Sequence, residues 1–282
     1  MKDDVHKLSA AKKRDGIFAA NRSVGGIKLS VGVSDGASRR KRVAESGALR
    51  VRFPNRQAAA LEAVIVNTAG GIAGGDRHAI DISVQDSAQF IVTTAAAEKI
   101  YRALGPNAEI VVKLHVSAGS RLAWLPQETI LFDRCGLSRR IDVELEPGAS
   151  LIVAEMVVFG RTAMGESVET TSFTDRWRVR CDGRLLFAET VKLDGAVAQK
   201  LAEPAVAAGG IAIATVLMVP ADDAMTARVR AWREKFSGEV GISAWNGLAV
   251  ARLWAKDGAS LRHDLGLVLT ALGASLPRIW LN

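Results

Sequence analysis

Turn signals recur so often along this chain that long helices have little room. From residue 26 to residue 193, Gly, Pro, Asn and Asp cut the sequence roughly every 8–12 residues into short β-prone runs. Residues 27–33 form one such run, ended by Ser34-Asp35-Gly36, and residues 50–53 form another, ended by Pro54-Asn55. Residues 79–84 alternate, with Ile80, Ile82 and Val84 on one side, and residues 110–116 alternate likewise before Ala118-Gly119. Further runs cover residues 63–66, 90–94, 121–125, 141–145, 151–159, 173–180 and 185–193. This pattern predicts an all-β stack or coil of sheets. Residues 95–104 have the propensity for a short helix.

The last quarter changes period. Met225, Val229, Trp232 and Phe236 stand at i, i+4, i+7 and i+11, a helical face opened by Asp222 or Asp223. Residues 242–245 and 248–254 flank Asn246-Gly247, the signal of a two-residue hairpin turn. Leu261, Leu265, Val268, Leu269 and Leu272 then mark a second amphipathic helix, closed by Gly273. The expected fold is therefore mainly β with two C-terminal helices. One domain is expected over residues 16–282, after a polar, disordered stretch at 1–15.

Composition narrows the class. With 49% hydrophobic residues in 282, the chain has enough apolar material for a sizeable core. Its charge of +7 is local: residues 1–56 hold 14 Lys/Arg against 5 Asp/Glu, while the other 226 hold 23 against 25. A basic flank without nearby aromatics is a poor nucleic-acid surface, so it reads as a solvated or partner-steering face. Cys135 and Cys181 are single and far apart, which fits neither a disulfide framework nor a zinc ribbon. No apolar run approaches ~18 residues, and Met1-Lys2-Asp3-Asp4 leads into no apolar signal region. A cytoplasmic protein without a membrane span is the expectation.

One loop stands out. After the buried run at residues 63–66 come Gly70, Gly71, Gly74 and Gly75, and then Asp76. The spacing from Gly70 to Gly75 is that of a P-loop, yet Asp76 and Arg77 occupy the Lys and Ser/Thr places. A carboxylate there repels phosphate and leaves no hydroxyl for magnesium. The dinucleotide pattern fails too, since Ile72 takes the place of its second glycine. What is left is a structural glycine loop that needs positive φ or close backbone approach and fixes one acid in place.

Enzyme chemistry finds no footing. The cysteines have no local His, and His6, His78, His115 and His263 have no metal-ligand spacing. His115 alternates onto the outer face of its strand, and His78 lies two residues beyond Asp76. No nucleophile elbow or His-Glu-x-x-His pattern appears. The informative residues are acids inside apolar runs: Glu155 within residues 151–159, and Glu189 within residues 185–193. A lone buried carboxylate costs several kcal/mol, so such groups are neutral, paired, or turned to water or a cation. Arg161 and Arg176 are available as ion-pair partners. The alternative is that Glu155, Glu189 and Asp76 line an internal polar passage, where oxygen ligands bind a divalent ion loosely in sequence.

Five stretches in order carry a family resemblance: residues 70–76, Lys99-Ile100-Tyr101-Arg102, residues 124–130, Gly160-Arg161 with Gly165-Glu166, and Leu276-Pro277-Arg278-Ile279-Trp280. Together they resemble the urease accessory proteins UreD (also UreH). That resemblance implies a β-helix-like stack of sheets and favours an extended chain over residues 95–104. It also implies a non-enzymatic chaperone that docks on the urease apoprotein with UreF and UreG during nickel insertion. Transient Ni2+ is its cargo, and no tightly bound cofactor is implied. Carried over by position, the resemblance places Asp76, Glu155 and Glu189 along a metal passage. Glu128, Arg161 and Glu166 belong to the shared motifs and then shape that passage or a partner face, or serve only turn and strand-end bonding; His78, next to Asp76, is a further candidate for the passage or a partner face. Tyr101, Trp124 and Trp280 read as core or interface anchors. A purely structural adaptor with a solid interior remains the competing reading, and a hydrolase is disfavoured by the missing nucleophile and base.

Overall fold

The computed structural model describes residues 22–54, 60–161 and 164–280. The stretch 1–15, expected to be disordered, lies outside the described residues.

The chain winds between two sheets. Strands β1 (Val24–Ser34), β2 (Ala37–Gly47), β3 (Leu49–Arg52), β4 (Leu61–Asn67), β5 (Arg77–Val84) and β6 (Gln89–Thr94) begin the coil. It continues through β7 (Glu98–Ile100), β8 (Ala108–Val116), β9 (Arg121–Trp124), β10 (Thr129–Leu131), β11 (Gly136–Leu145) and β12 (Ser150–Phe159). β13 (Thr170–Cys181), β14 (Arg184–Ala196), β15 (Ala212–Val219), β16 (Glu239–Trp245) and β17 (Leu248–Ala255) complete the strands. The first sheet runs β14-β13-β11-β8-β5-β1-β2 and the second β16-β17-β15-β12-β9-β6-β4-β3. From β4 to β13 the long strands alternate between sheets, and within each sheet those strands pair in parallel. Antiparallel strands close both ends of each sheet.

A short third face joins the two. Thr129 of β10 stands in register with Glu98 of β7 and with Val157 of β12. An isolated bridge sets Ile72 of the glycine loop beside Ile100. Ile72, Ile100, Leu131 and Phe159 thus stack in one buried column, each from a successive coil. The extended reading of residues 95–104 accords with β7.

Inside the coil, side chains stack in apolar ladders. Ile27, Ile80, Val112, Ile141 and Trp177 form one across the first sheet, all buried. Period-two alternation makes this possible, because every inward residue of one coil meets an inward residue of the next.

The two later helices cover the outside of the second sheet, while the first helix packs against β13 and β14 of the first sheet. The described residues hold three α-helices rather than the two expected: α1 (Val197–Ala202), α2 (Asp223–Arg230) and α3 (Gly258–Ala271). The unexpected α1 is a six-residue turn with neither a side-chain cap nor an acid in its first turn, so it carries none of the usual start signals. It is held by burying Val197 and Leu201. The other two begin where Asp222 and Asp257 accept the backbone N–H groups of Met225 and Ser260. α3 packs on β15 and β17, where Leu261, Leu265, Val268 and Leu269 share one apolar cluster with outward residues such as Ala214, Val216, Ala251 and Leu253.

Candidate functional site

The inward ladder at one end of the first sheet turns polar. Gly25, His78, Ile110, Arg139 and Asp175 occupy a single register column through β1, β5, β8, β11 and β13. Facing it across the coil, Glu155 of β12 stands beside Thr215 of β15, and Thr215 beside Arg252 of β17. On the first sheet Glu189 of β14 pairs with Trp177. These groups form a seam between two apolar clusters, one holding Val153 and Trp177, the other Val157 and Phe173.

Arg139 organises the seam. Only 4% of its side chain is exposed. It forks onto Asp175, with Nε donating to Oδ1 at 3.1 Å and Nη2 to Oδ2 at 2.6 Å. Nη1 donates to Thr129 Oγ1 at 3.2 Å and to Glu155 Oε2. The other oxygen of Glu155 accepts from Trp124 Nε1 at 2.8 Å. Both oxygens of a 5%-exposed carboxyl are therefore satisfied. The partner differs from the Arg161 and Arg176 that the sequence offered: Arg176 lies outward on β13, and Arg161 sits on the surface beyond the end of β12. One guanidinium serving two carboxylates leaves the seam a surplus negative charge in a dry setting. Burial accordingly pushes the Glu155 carboxyl up to about 7, against the pull of Arg139 and with a further push from Asp175.

Glu189 guards the outer end. Its carboxylate accepts from Arg252 Nη2 at 2.6 Å, and Arg252 is more than half exposed. Glu155 and Glu189 line one cavity of about 20 Å³, together with Arg139, Asp175 and Thr215. That is room for about one water.

Asp76 is not among the residues lining that cavity. Its carboxylate accepts the backbone N–H groups of Ser23 and Ala73, both at 2.8 Å, which pins the glycine loop to the start of β1. His78, 4% exposed, points inward next to it, and its Nε2 finds no hydrogen-bond partner among the described residues. Burial lowers the His78 pKa, with the charge of Asp76 pulling the other way. Four glycines make the loop possible for different reasons. Gly71 has φ +152°, and a Cβ there would collide with the Tyr101 ring. A Cβ on Gly74 would lie 2.8 Å from Ala103 Cβ and from the Pro106 carbonyl. Gly70 and Gly75 supply positive φ.

The remaining motif residues gather in two places. On the third face, Tyr101 donates to the Gly70 carbonyl at 2.9 Å and meets Phe132 edge-on. Arg161 lies over Phe132 at 4.3 Å and grips Glu166 through two bonds of 2.7 and 3.1 Å. That grip holds the Glu166 carboxyl below its ordinary range. At the other place, Arg262 of α3 bonds Glu128 at 3.1 Å and Gln127 at 2.5 Å, and lies over Trp280. Trp280 in turn donates to the Leu125 carbonyl at 3.1 Å.

Arg139, Asp175 and Glu98 were missed from the sequence. The signal for the first two was parity: Leu137, Arg139, Ile141, Val143 and Leu145 alternate inward, as do Phe173, Asp175, Trp177 and Val179. Glu98 shares a row with Thr129 and bonds Asn67 at 3.0 Å, and burial raises it to about 7. Its run is too short to show a period.

Fold and seam together define a β-solenoid scaffold whose interior, among the described residues, carries the Arg139 ion pairs besides a few isolated buried polar groups such as His78. Among the described residues no group of three or more His, Cys, Asp and Glu gathers to hold a metal, and no helix is long and apolar enough to cross a membrane. The family described as UreD urease accessory protein matches residues 23–281. A urease accessory protein UreD of Bradyrhizobium diazoefficiens is 56% identical over 266 residues, covering 94% of this chain and 96% of that protein. One from Rhodopseudomonas palustris strain BisA53 is 53% identical over 278 residues, covering 99% and 97%. The chain belongs to the UreD family of urease accessory proteins. Its role is in urease maturation, and it is an accessory protein rather than an enzyme.

Proposed function

We propose that the chain docks on the urease apoprotein with UreF and UreG, in the cytoplasm, and helps pass Ni2+ towards the urease active site through its acid-lined interior. The observation that carries this reading is the convergence of Glu155 and Glu189 on one interior cavity, from strands 34 positions apart in sequence. Carboxylate oxygens suit a divalent ion that must bind and leave. His78 lies on the same inward column as Arg139 and Asp175, with Asp76 close by, but Ile110 stands between His78 and Arg139, so the His78–Asp76 pair is a second polar spot rather than a continuation of the seam. The Arg161–Glu166 pair on the third face and Glu128 near Trp280 serve as partner-facing or shaping positions.

One observation favours the second reading, an adaptor with a solid interior: the cavity is small and its acids are already paired. The two readings separate in purified complexes. Glu155→Gln and Glu189→Ala should leave complex formation intact by size-exclusion chromatography, yet lower urease nickel content at least threefold. Full nickel loading with both variants removes the passage and leaves the adaptor.

A further inference from the structure

The seam contains its own cation. The geometry points to Arg139 as the gate of the interior: its guanidinium fills the place between Asp175 and Glu155, and transit from the Glu189 end past Glu155 requires it to swing aside. This rests on the passage reading above and adds what that reading lacks, the element that moves.

Three features support it. First, Arg139 touches acids from both walls of the coil, Asp175 on the first sheet and Glu155 on the second, so it spans the interior rather than lining one side. Second, the cavity beside it admits about one water, too little room for an ion that keeps part of its hydration beside the guanidinium. Third, the seam has alternatives ready once Arg139 leaves. Trp124 Nε1 already donates to Glu155, and the Thr129 hydroxyl, which accepts from Arg139, is released when the guanidinium leaves. Glu189 lies on the same cavity, and among the described residues its carboxylate is tied outward through Arg252, whose side chain is 58% exposed and free to seek water. A buried cation traded for an incoming one keeps the local charge nearly constant, which avoids the cost of baring two carboxylates in hydrocarbon. Arg139 is thus a positioning residue, acting on the cargo through Glu155 and Asp175.

The test uses the accessory complex and apo-urease, with nickel loading followed over time. Arg139→Gln, shorter and uncharged, should load urease at least threefold faster than the wild type, whereas Arg139→Lys, which retains a cation, should stay near the wild-type rate. A merely structural arginine predicts the reverse order, with Arg139→Gln slower because the seam is disrupted. Arg139→Gln leaves both Asp175 and Glu155 without their cation, so Arg139→Gln/Asp175→Asn is the companion variant, with one positive and one negative charge removed and the same acceleration expected. Folded variants that load no faster than the wild type overturn the gate. Glu155→Gln and Glu189→Ala distinguish the two failures. If they lower loading while the Arg139 variants do not speed it, the gate falls and the passage stands. If they load fully, the passage itself falls.

Discussion

At the scale of single residues, Glu155 carries the clearest pH signature. Its carboxyl is raised from 4.5 to about 7 when folded, chiefly because burial disfavours the charge. Between those values the folded chain holds a proton that the unfolded chain has lost, so raising the pH removes stability. The penalty is absent below the unfolded value and complete above about 7. Glu155→Gln never ionises and escapes it. Its stability relative to the wild type should therefore improve as pH rises from 5 to 8, read from urea denaturation at several pH values. A difference that stays constant with pH would show that the folded carboxyl titrates normally. Glu155 was legible in the sequence because it interrupts a run of hydrocarbons. Its partner was not, because Arg139 sits beside Arg140 in Leu137-Ser138-Arg139-Arg140-Ile141, where two charges and a serine hide the alternation. Asp175, in Thr174-Asp175-Arg176, is masked in the same way.

At the scale of elements, the glycine loop and α3 each hang on one local device. A methyl at Gly71 meets both the Tyr101 ring and, at 2.9 Å, the Lys99 carbonyl, whereas one at Gly70 meets nothing within 4 Å and suffers only from positive φ. Gly70→Ala should cost about 1 kcal/mol and Gly71→Ala about 2–3 kcal/mol, compared by thermal melting. Equal losses would mean that backbone conformation alone, and not the approach of Tyr101, selects glycine. In α3, buried Asp264 accepts the backbone N–H groups of Ser237 and Gly238 at 2.8 and 2.7 Å, tying the helix to the chain before β16. Asp264→Ala removes the acceptor of two half-buried backbone donors and should cost about 1–2 kcal/mol, whereas Asp264→Asn retains one acceptor and should cost less. The helix itself was written in its leucines and its Asp257 cap, but the Asp264 anchor was not, since it depends on what the third dimension brings near. Among strands, those with hydrocarbon alternation were readable. β2 was not, because residues 39–46 are exposed and mostly charged, without apolar alternation, and the strand pairs as an edge to β1.

At the scale of the whole molecule, a solenoid gains stability from neighbour to neighbour, so its ends have one partner where its middle has two. β8, β9, β11 and β12 each pair on both sides, while β2 and β16 pair on one side only and expose most of their residues. Amide hydrogen exchange should therefore be slowest in the central four strands and fastest in β2, with β16 also quick despite its covering contact with α2. The gradient has a functional consequence. The Arg139 seam is anchored on β11, β12 and β13, in or next to the most protected coils, whereas Glu189 and Arg252 lie on β14 and β17, near the end of the stack. Opening that begins at the stack's end would release the Glu189–Arg252 pair while the inner seam holds. Exchange measured on Arg139→Gln should then rise locally in β11 and β13 and leave β5 and β6 unchanged. A rise spread evenly over all coils would mean that the guanidinium holds the solenoid together as a whole, and the two-stage order of opening would have to be abandoned.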